Sequence, residues 1–136
     1  MLKDVLHNSD VFIGVSGKEN LLTAKMVSLM NGKPIVFALS NPDPEILPRE
    51  ARKGCAAVVA TGRSDFPNAI NNVLAFPGVL RGVLDARVKR LTDQMKLKAA
   101  ETIAHLVKKP RALHLLPSVF DRKVSIEVAL TIRRLT

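Results

Sequence analysis

The chain has 136 residues, 47% hydrophobic and 24% charged, which fits one folded domain and excludes a low-complexity or disordered chain. No apolar run reaches the ~18 to 20 residues of a membrane span, and Met1-Leu2-Lys3-Asp4 leads into a strand-like segment without a signal-peptide pattern. The single cysteine, Cys55, excludes an internal disulfide framework and suits a reducing, cytoplasmic setting.

Charge is the unusual property, at +9 with a pI near 10.2. The basic residues run along the whole chain and are densest at Lys108-Lys109-Pro110-Arg111, Arg122-Lys123 and Arg133-Arg134. No aromatic residue interleaves with them to stack bases, and the chain has no Trp, no Tyr and five Phe. The pattern reads as a solvated basic surface, facing an acidic partner or nothing, rather than as a nucleic-acid site.

In chain order, Asp10 to Ser16 is a continuous apolar, β-branched run and predicts a buried strand. Thr23 offers an N-cap to a helix with Met26, Val27 and Met30 on one face, stopped by Gly32. Lys33 to Leu39 predicts a second strand, ending in Ser40-Asn41-Pro42. Pro48 opens a short helix closed by Gly54, and Ala56 to Ala60 predicts a third strand turned by Thr61-Gly62. This alternation implies parallel strands joined by helical crossovers, an α/β fold.

The second half reads as helical. Helical spacing covers Asn68 to Phe76 and Val79 to Val88, with Pro77-Gly78 expected to break between them. Gly78 and Gly82 have the spacing of close helix packing. Thr92 caps a longer helix with Met95, Ala99, Ile103 and Leu106 on one face, and Val124 to Leu135 forms a last amphipathic stretch. Residues 1–65 thus alternate strand and helix and residues 66–136 are mainly helical, within a single partial domain of about three strands.

Ligands of open parallel sheets bind outside the carboxyl ends of the strands. Three loops leave such ends: Gly14-Val15-Ser16-Gly17, Ser40 to Pro44, and Thr61 to Asp65. Glycine admits close approach to the backbone, and asparagine brings a donor and an acceptor on a short arm. His7, His105 and His114 lack spacing suited to a metal or a catalytic triad, and Cys55, at the start of an apolar run, reads as a small core residue. Arg63 and Asp65 read as a local ion pair bracing their loop.

The blocks from Asp10 to Ser16, Ile35 to Glu45, Ala57 to Asn68 and Asn71 to Gly78, followed by Met95-Lys96-Leu97 and Leu116 to Asp121, resemble in order the cofactor domain of bacterial malic enzymes. The resemblance implies a partial Rossmann-like domain with flanking helices, taking part in oxidative decarboxylation of malate to pyruvate and CO2 with reduction of NAD or NADP. It implies that Asn41, Asn71 and Asn72 bind substrate, and that Gly14, Val15, Ser16 and Asn41 line the cofactor. Mg or Mn would serve the complete enzyme.

The same resemblance places the catalytic groups elsewhere. The family's acid is a tyrosine, and this chain has none; its base is a lysine of a preceding block without counterpart here. Its metal is held by an adjacent acidic pair plus an aspartate, whereas no two of the twelve acidic residues are neighbours. The seven glycines never fall at G-x-G spacing, so the pyrophosphate fingerprint is also absent. Lys18-Glu19-Asn20 stands where the family has a glycine-containing turn. The expectation is therefore a truncated portion with no catalytic or metal-ligating residue of its own, inactive alone, that assembles as a homo-oligomer or with a complementing N-terminal malic enzyme chain. The alternative is a non-catalytic remnant or interaction module that binds an acidic partner or nucleic acid. A second nucleotide half of another dehydrogenase fits the Asn-Pro and Asn-Asn blocks less well.

Overall fold

The computed structural model describes residues 1–136 and divides into two compact units, Met1–Ile70 and Asn71–Thr136. The first contains α1 (Leu2–Leu6), β1 (Val11–Gly14), α2 (Ala24–Val27), β2 (Ile35–Ala38), α3 (Pro48–Lys53) and β3 (Val58–Thr61). The three strands are parallel in the order β1-β2-β3, with Val11 opposite Ile35 and Ile35 opposite Val58. This is the α/β arrangement that the alternation predicts. It departs from expectation at the start, where a helix rather than a strand follows Met1.

One face of the sheet is fully covered, while the other is open at β1 and closed at β3, where Ala60 is buried. Phe12, Val36, Ala38 and Val59 join Leu6, Leu22, Val27, Met30, Ile46 and Ala51 in one core. On the opposite face Val11 and Ile13 are exposed, Ile13 by 62%. The run of apolar residues in β1 predicts burial on both faces, and the structure corrects this: the pleat sends alternate side chains to opposite sides, and only one side of β1 is packed. Beyond β3, Thr61 bridges Ala69 and donates to Asn68 O while Ile70 donates to Thr61 O, so the 68–70 segment covers that edge. β1 forms the other edge. Its Asp10 and Gly14 carbonyls accept from Ile35 and Leu39, so the alternate groups of Val11 and Ile13 face away from the sheet.

Two glycine assignments change. Gly32 does not end α2 by a left-handed turn; Lys33 takes the positive φ, at 62°. At the end of α3 the left-handed residue is Cys55 (φ 71°), and it is exposed, not a core residue. Gly54 serves a different need, since a Cβ there would lie 2.5 Å from Ala24 O and 2.7 Å from Val27 Cβ. Glycine at this position lets α3 press against α2.

The second unit holds a single 3-10 turn (Asn72–Leu74), α4 (Phe76–Asp85), α5 (Asp93–His105) and α6 (Arg122–Arg133) around Leu74, Val79, Met95, Ala99, Ile103, Val124, Val128 and Ile132. Thr92 accepts from Met95 N and Asp121 from Lys123 N, capping α5 and α6. The helix expected over Asn68 to Phe76 shrinks to that one turn. Pro77-Gly78 does not break α4 but lies in its first turn, where a missing N–H costs nothing because it has no intrahelical partner. Gly78 and Gly82 let α6 approach: a Cβ at either would lie 2.7 Å from Val128 or Ile132.

Gly54→Ala is expected to lower stability by about 1–3 kcal/mol through overpacking, whereas Gly32→Ala, with open space at its Cβ, should shift it by less than about 0.5 kcal/mol. Urea denaturation of the two variants checks this; equal effects would contradict the packing role of Gly54.

Candidate functional site at the strand tips

The carboxyl ends of β1 and β2 are tied together by one side chain. Glu45 is fully buried, and one carboxylate oxygen, Oε1, accepts from Ser16 N (2.9 Å), Ser16 Oγ (2.9 Å) and the Ser40 hydroxyl. Its second oxygen accepts from Ser40 N at 3.2 Å. Gly17, in a left-handed turn (φ 69°), donates its N–H to Ser40 Oγ at 2.8 Å. No lysine or arginine pairs with Glu45. Burial by itself would raise its pKa, but the hydrogen bonds from the Ser40 hydroxyl, the Ser16 amide, its own backbone and the Ser16 hydroxyl outweigh that and lower it to about 2. The group is an anion held by neutral donors.

This explains Gly14. A Cβ there would fall 2.6 Å from the Glu45 carboxyl carbon, so only glycine lets the strand end lie over the buried carboxylate. The chain between Ser16 and α2 is zipped to the same region, Asn20 N to Pro44 O (3.4 Å) and Leu22 N to Glu45 O (2.9 Å). Asn20 itself adopts φ 52°. Asparagine thus provides the left-handed residue of a turn in which the resemblance leads one to expect glycine.

Asn41 follows the tip of β2, is exposed, and is joined to Pro42 by a cis bond. It overlies the tip of β3: a Cβ on Gly62 would lie 2.7 Å from Asn41 Nδ2. Arg63 links the same two loops. It makes a two-bonded pair with Asp65 (Nε to Oδ1 2.9 Å, Nη2 to Oδ2 2.7 Å), reaches Asp43 Oδ1 at 3.5 Å, and sits 5.2 Å from the Phe66 ring centre. The Arg63–Asp65 pair is the brace the sequence suggests, and it extends to Asp43. Hydrogen bonding to Asp65 holds the Arg63 pKa above its ordinary value.

Among the residues expected to bind ligand, the first unit brings Gly14, Val15, Ser16 and Asn41 to the strand tips, with Val15 78% exposed. The Ser16 hydroxyl is turned inward onto Glu45 and also accepts from Lys18 N. Asn71 and Asn72 open the second unit. Asn71 caps the 3-10 turn, its Oδ1 accepting from Val73 N at 3.1 Å, which is the local backbone role that polar residues at a helix start commonly take. Asn72 is exposed and borders a largely apolar hollow of about 330 Å3 with Phe76, Val79, Lys96, Ala99 and Ile103. Glu45 has no signal in spacing or composition; only the pairing of a serine at each of two strand tips with a following acid hints at it.

No three His, Cys, Asp or Glu side chains stand together as a metal site requires. Glu45 is engaged by serines, and Asp43 and Asp65 by Arg63. These donors do not fit Mg or Mn. At the strand ends Gly17 is exposed with open space around it, whereas Gly14 is buried against the Glu45 carboxylate.

Glu45→Gln is expected to cost at least about 2 kcal/mol, since it replaces hydrogen bonds to a charged acceptor inside the fold. The contribution of the native carboxylate should be complete above its unfolded pKa near 4.5 and should disappear as pH falls toward about 2. Denaturation of both proteins from pH 7 to pH 2 measures this. A stability gap that stays constant over the range would contradict the ionised state.

Comparison with known proteins gives the family. Residues 2–136 match the family model described as malic enzyme, NAD binding domain. The chain is 52% identical over 130 residues to the bifunctional malic/malolactic enzyme of Bacillus subtilis (strain 168), covering 94% of this chain and 32% of that protein. It is 52% identical over 108 residues to an NADP-dependent malic enzyme of Rhizobium meliloti (strain 1021), covering 79% of this chain and 14% of the relative. The crystal structure of the malic enzyme from Pyrococcus horikoshii superimposes with a TM-score of 0.90 at 41% identity, over 98% of this chain and 31% of that one. The chain therefore spans about a third or less of the length of these relatives. It belongs to the malic enzyme NAD-binding domain family.

Proposed function

We propose that the chain supplies the cofactor- and substrate-binding portion of a malic enzyme, which oxidatively decarboxylates malate to pyruvate and CO2 and reduces NAD or NADP. The observation that carries this reading is the set of three parallel strand tips, held by Glu45 and Arg63, in a chain of this family. In it, Gly14, Val15, Ser16 and Asn41 line the dinucleotide, and Asn41, Asn71 and Asn72 meet malate. When bound, the nicotinamide would supply a hydride acceptor.

The residues of this chain bind and orient. A neutral amide can donate to a carboxylate and accept from a hydroxyl, so exposed Asn41 and Asn72 suit a hydroxy acid without adding charge to the site. Holding reactants in one geometry is a large part of a catalytic barrier, and a displacement of about 1 Å can cost roughly 10²-fold. The interlock at Glu45 and the Arg63 brace limit such displacement at the strand tips.

Proton transfer needs groups that a tyrosine-free chain does not supply in the family's manner, so the chain acts with a complementing N-terminal malic enzyme region. The edge and uncovered face of β1, with Val11, Ile13 and Val15 exposed, suit pairing with a strand of that region. An interaction module that works without catalysis is the second reading, favoured only by the basic charge.

Two measurements test this. In an enzyme uniting this chain with the preceding region, Asn41→Ala and Asn72→Ala should each lower kcat/KM for malate by about 10- to 100-fold, and unchanged kinetics would remove those residues from the site. Malate-dependent reduction of NAD(P) should appear only when that region is present, joined or mixed. Turnover by the 136 residues alone would overturn the proposed division of labour.

A further inference from the structure

The basic charge is not evenly shared between the units. Residues 71–136 hold thirteen Lys and Arg against five Asp and Glu, a net +8, while residues 1–70 hold eight against seven, a net +1. Within the second unit several cations are neutralised on their own helices: Arg81 by Asp85, Lys96 by Asp93 and Lys98 by Glu101. The densest basic run, Lys108 to Arg111, is not. Neither Lys108, Lys109 nor Arg111 forms an ion pair, and all three are exposed.

These side chains share one hollow. Leu106, Val107, Lys108, Lys109, Arg111 and His114 line an open depression of about 630 Å3 at the end of α5, with no carboxylate in its wall. The turn that carries them is fixed by reciprocal backbone hydrogen bonds, Arg111 N to His114 O (3.1 Å) and His114 N to Arg111 O (2.8 Å). Cations just beyond a helix C-terminus are favoured by the helix dipole, which accounts for a lysine after His105. It does not account for Arg111 and His114 facing the same space from the far side of a turn.

We propose that this hollow is an anion site for a small ligand carrying contiguous phosphates, independent of the malate reading. Two ammonium groups act as point charges, and the Arg111 guanidinium can take two phosphate oxygens at once. Three unpaired cations around one depression offset most of the negative charge of a triphosphate. A nucleic-acid strand fits less well, since no aromatic side chain lines the hollow to stack a base.

Calorimetric titration of the chain with inorganic triphosphate at physiological ionic strength tests this, beside a nucleoside triphosphate, citrate and a short single-stranded oligonucleotide. Triphosphate is expected to bind with one-to-one stoichiometry, and citrate at least about tenfold more weakly. The triple variant Lys108→Ala, Lys109→Ala, Arg111→Ala, checked for unchanged circular dichroism, should weaken triphosphate binding at least about tenfold. The control Lys89→Ala, Arg90→Ala, Arg134→Ala removes the same charge elsewhere in the unit and should change it less than about twofold. Equal loss in both variants would show general attraction to a basic surface and overturn the site. So would citrate binding as tightly as triphosphate, tighter binding of the oligonucleotide, or no triphosphate binding. Tighter binding of the nucleoside triphosphate than of inorganic triphosphate would support the site and add a nucleoside contact.

Discussion

A carboxylate removed from water without a cation beside it is among the most costly groups a fold can bury. Glu45 is held in that position by two serine hydroxyls and two backbone amides, drawn from the ends of two different strands. The arrangement works only if every donor is in place. Gly14 must lack a side chain, Gly17 must turn left-handed toward Ser40, and the loop from Asn20 to Leu22 must lie along Pro44 and Glu45. The conformation of the first two strand tips is thus dictated by the solvation of one anion. The third tip is added by Arg63, whose charge lies between Asp43 and Asp65.

That constraint sits where a nucleotide-binding sheet does its chemistry. It fixes the backbone of the loops while leaving Val15 and Asn41 exposed above them. The first unit also has an unfinished flank, since the edge and outer face of β1 remain uncovered. The chain belongs to the malic enzyme NAD-binding domain family, and this open flank suits the proposed pairing with a further region of such an enzyme. The second unit differs in kind: a helical assembly packed through Gly78 and Gly82 that carries almost all of the excess charge.

The sequence makes the architecture legible where local signals are strong. Runs of β-branched residues ending in polar tips mark the three strands, and Thr23 and Thr92 mark helix starts through their side-chain oxygens. Reading fails where a residue has two physical uses. Gly54 and Gly32 look alike as helix stops, yet one is needed for α2–α3 contact and the other is not, a difference that only tertiary packing creates. Pro77 looks like a breaker because its position in the first turn of α4 cannot be told from spacing. Cys55 follows a helix and precedes an apolar run, and the positive φ that the chain needs there points it to solvent. The role of Glu45 was hidden because its partners stand up to 29 residues away. The identity of the strand-tip residues was readable; the interaction that holds them was not.

Amide hydrogen exchange of the intact chain tests the central role of Glu45 most directly. Ser16, Gly17 and Ser40 lie in loops beyond the strands, yet their N–H groups end on Glu45 or on the serine it holds. The account predicts protection of these three amides comparable to that of β2, lost selectively in Glu45→Gln. Exchange at free-loop rates in the native chain would contradict it.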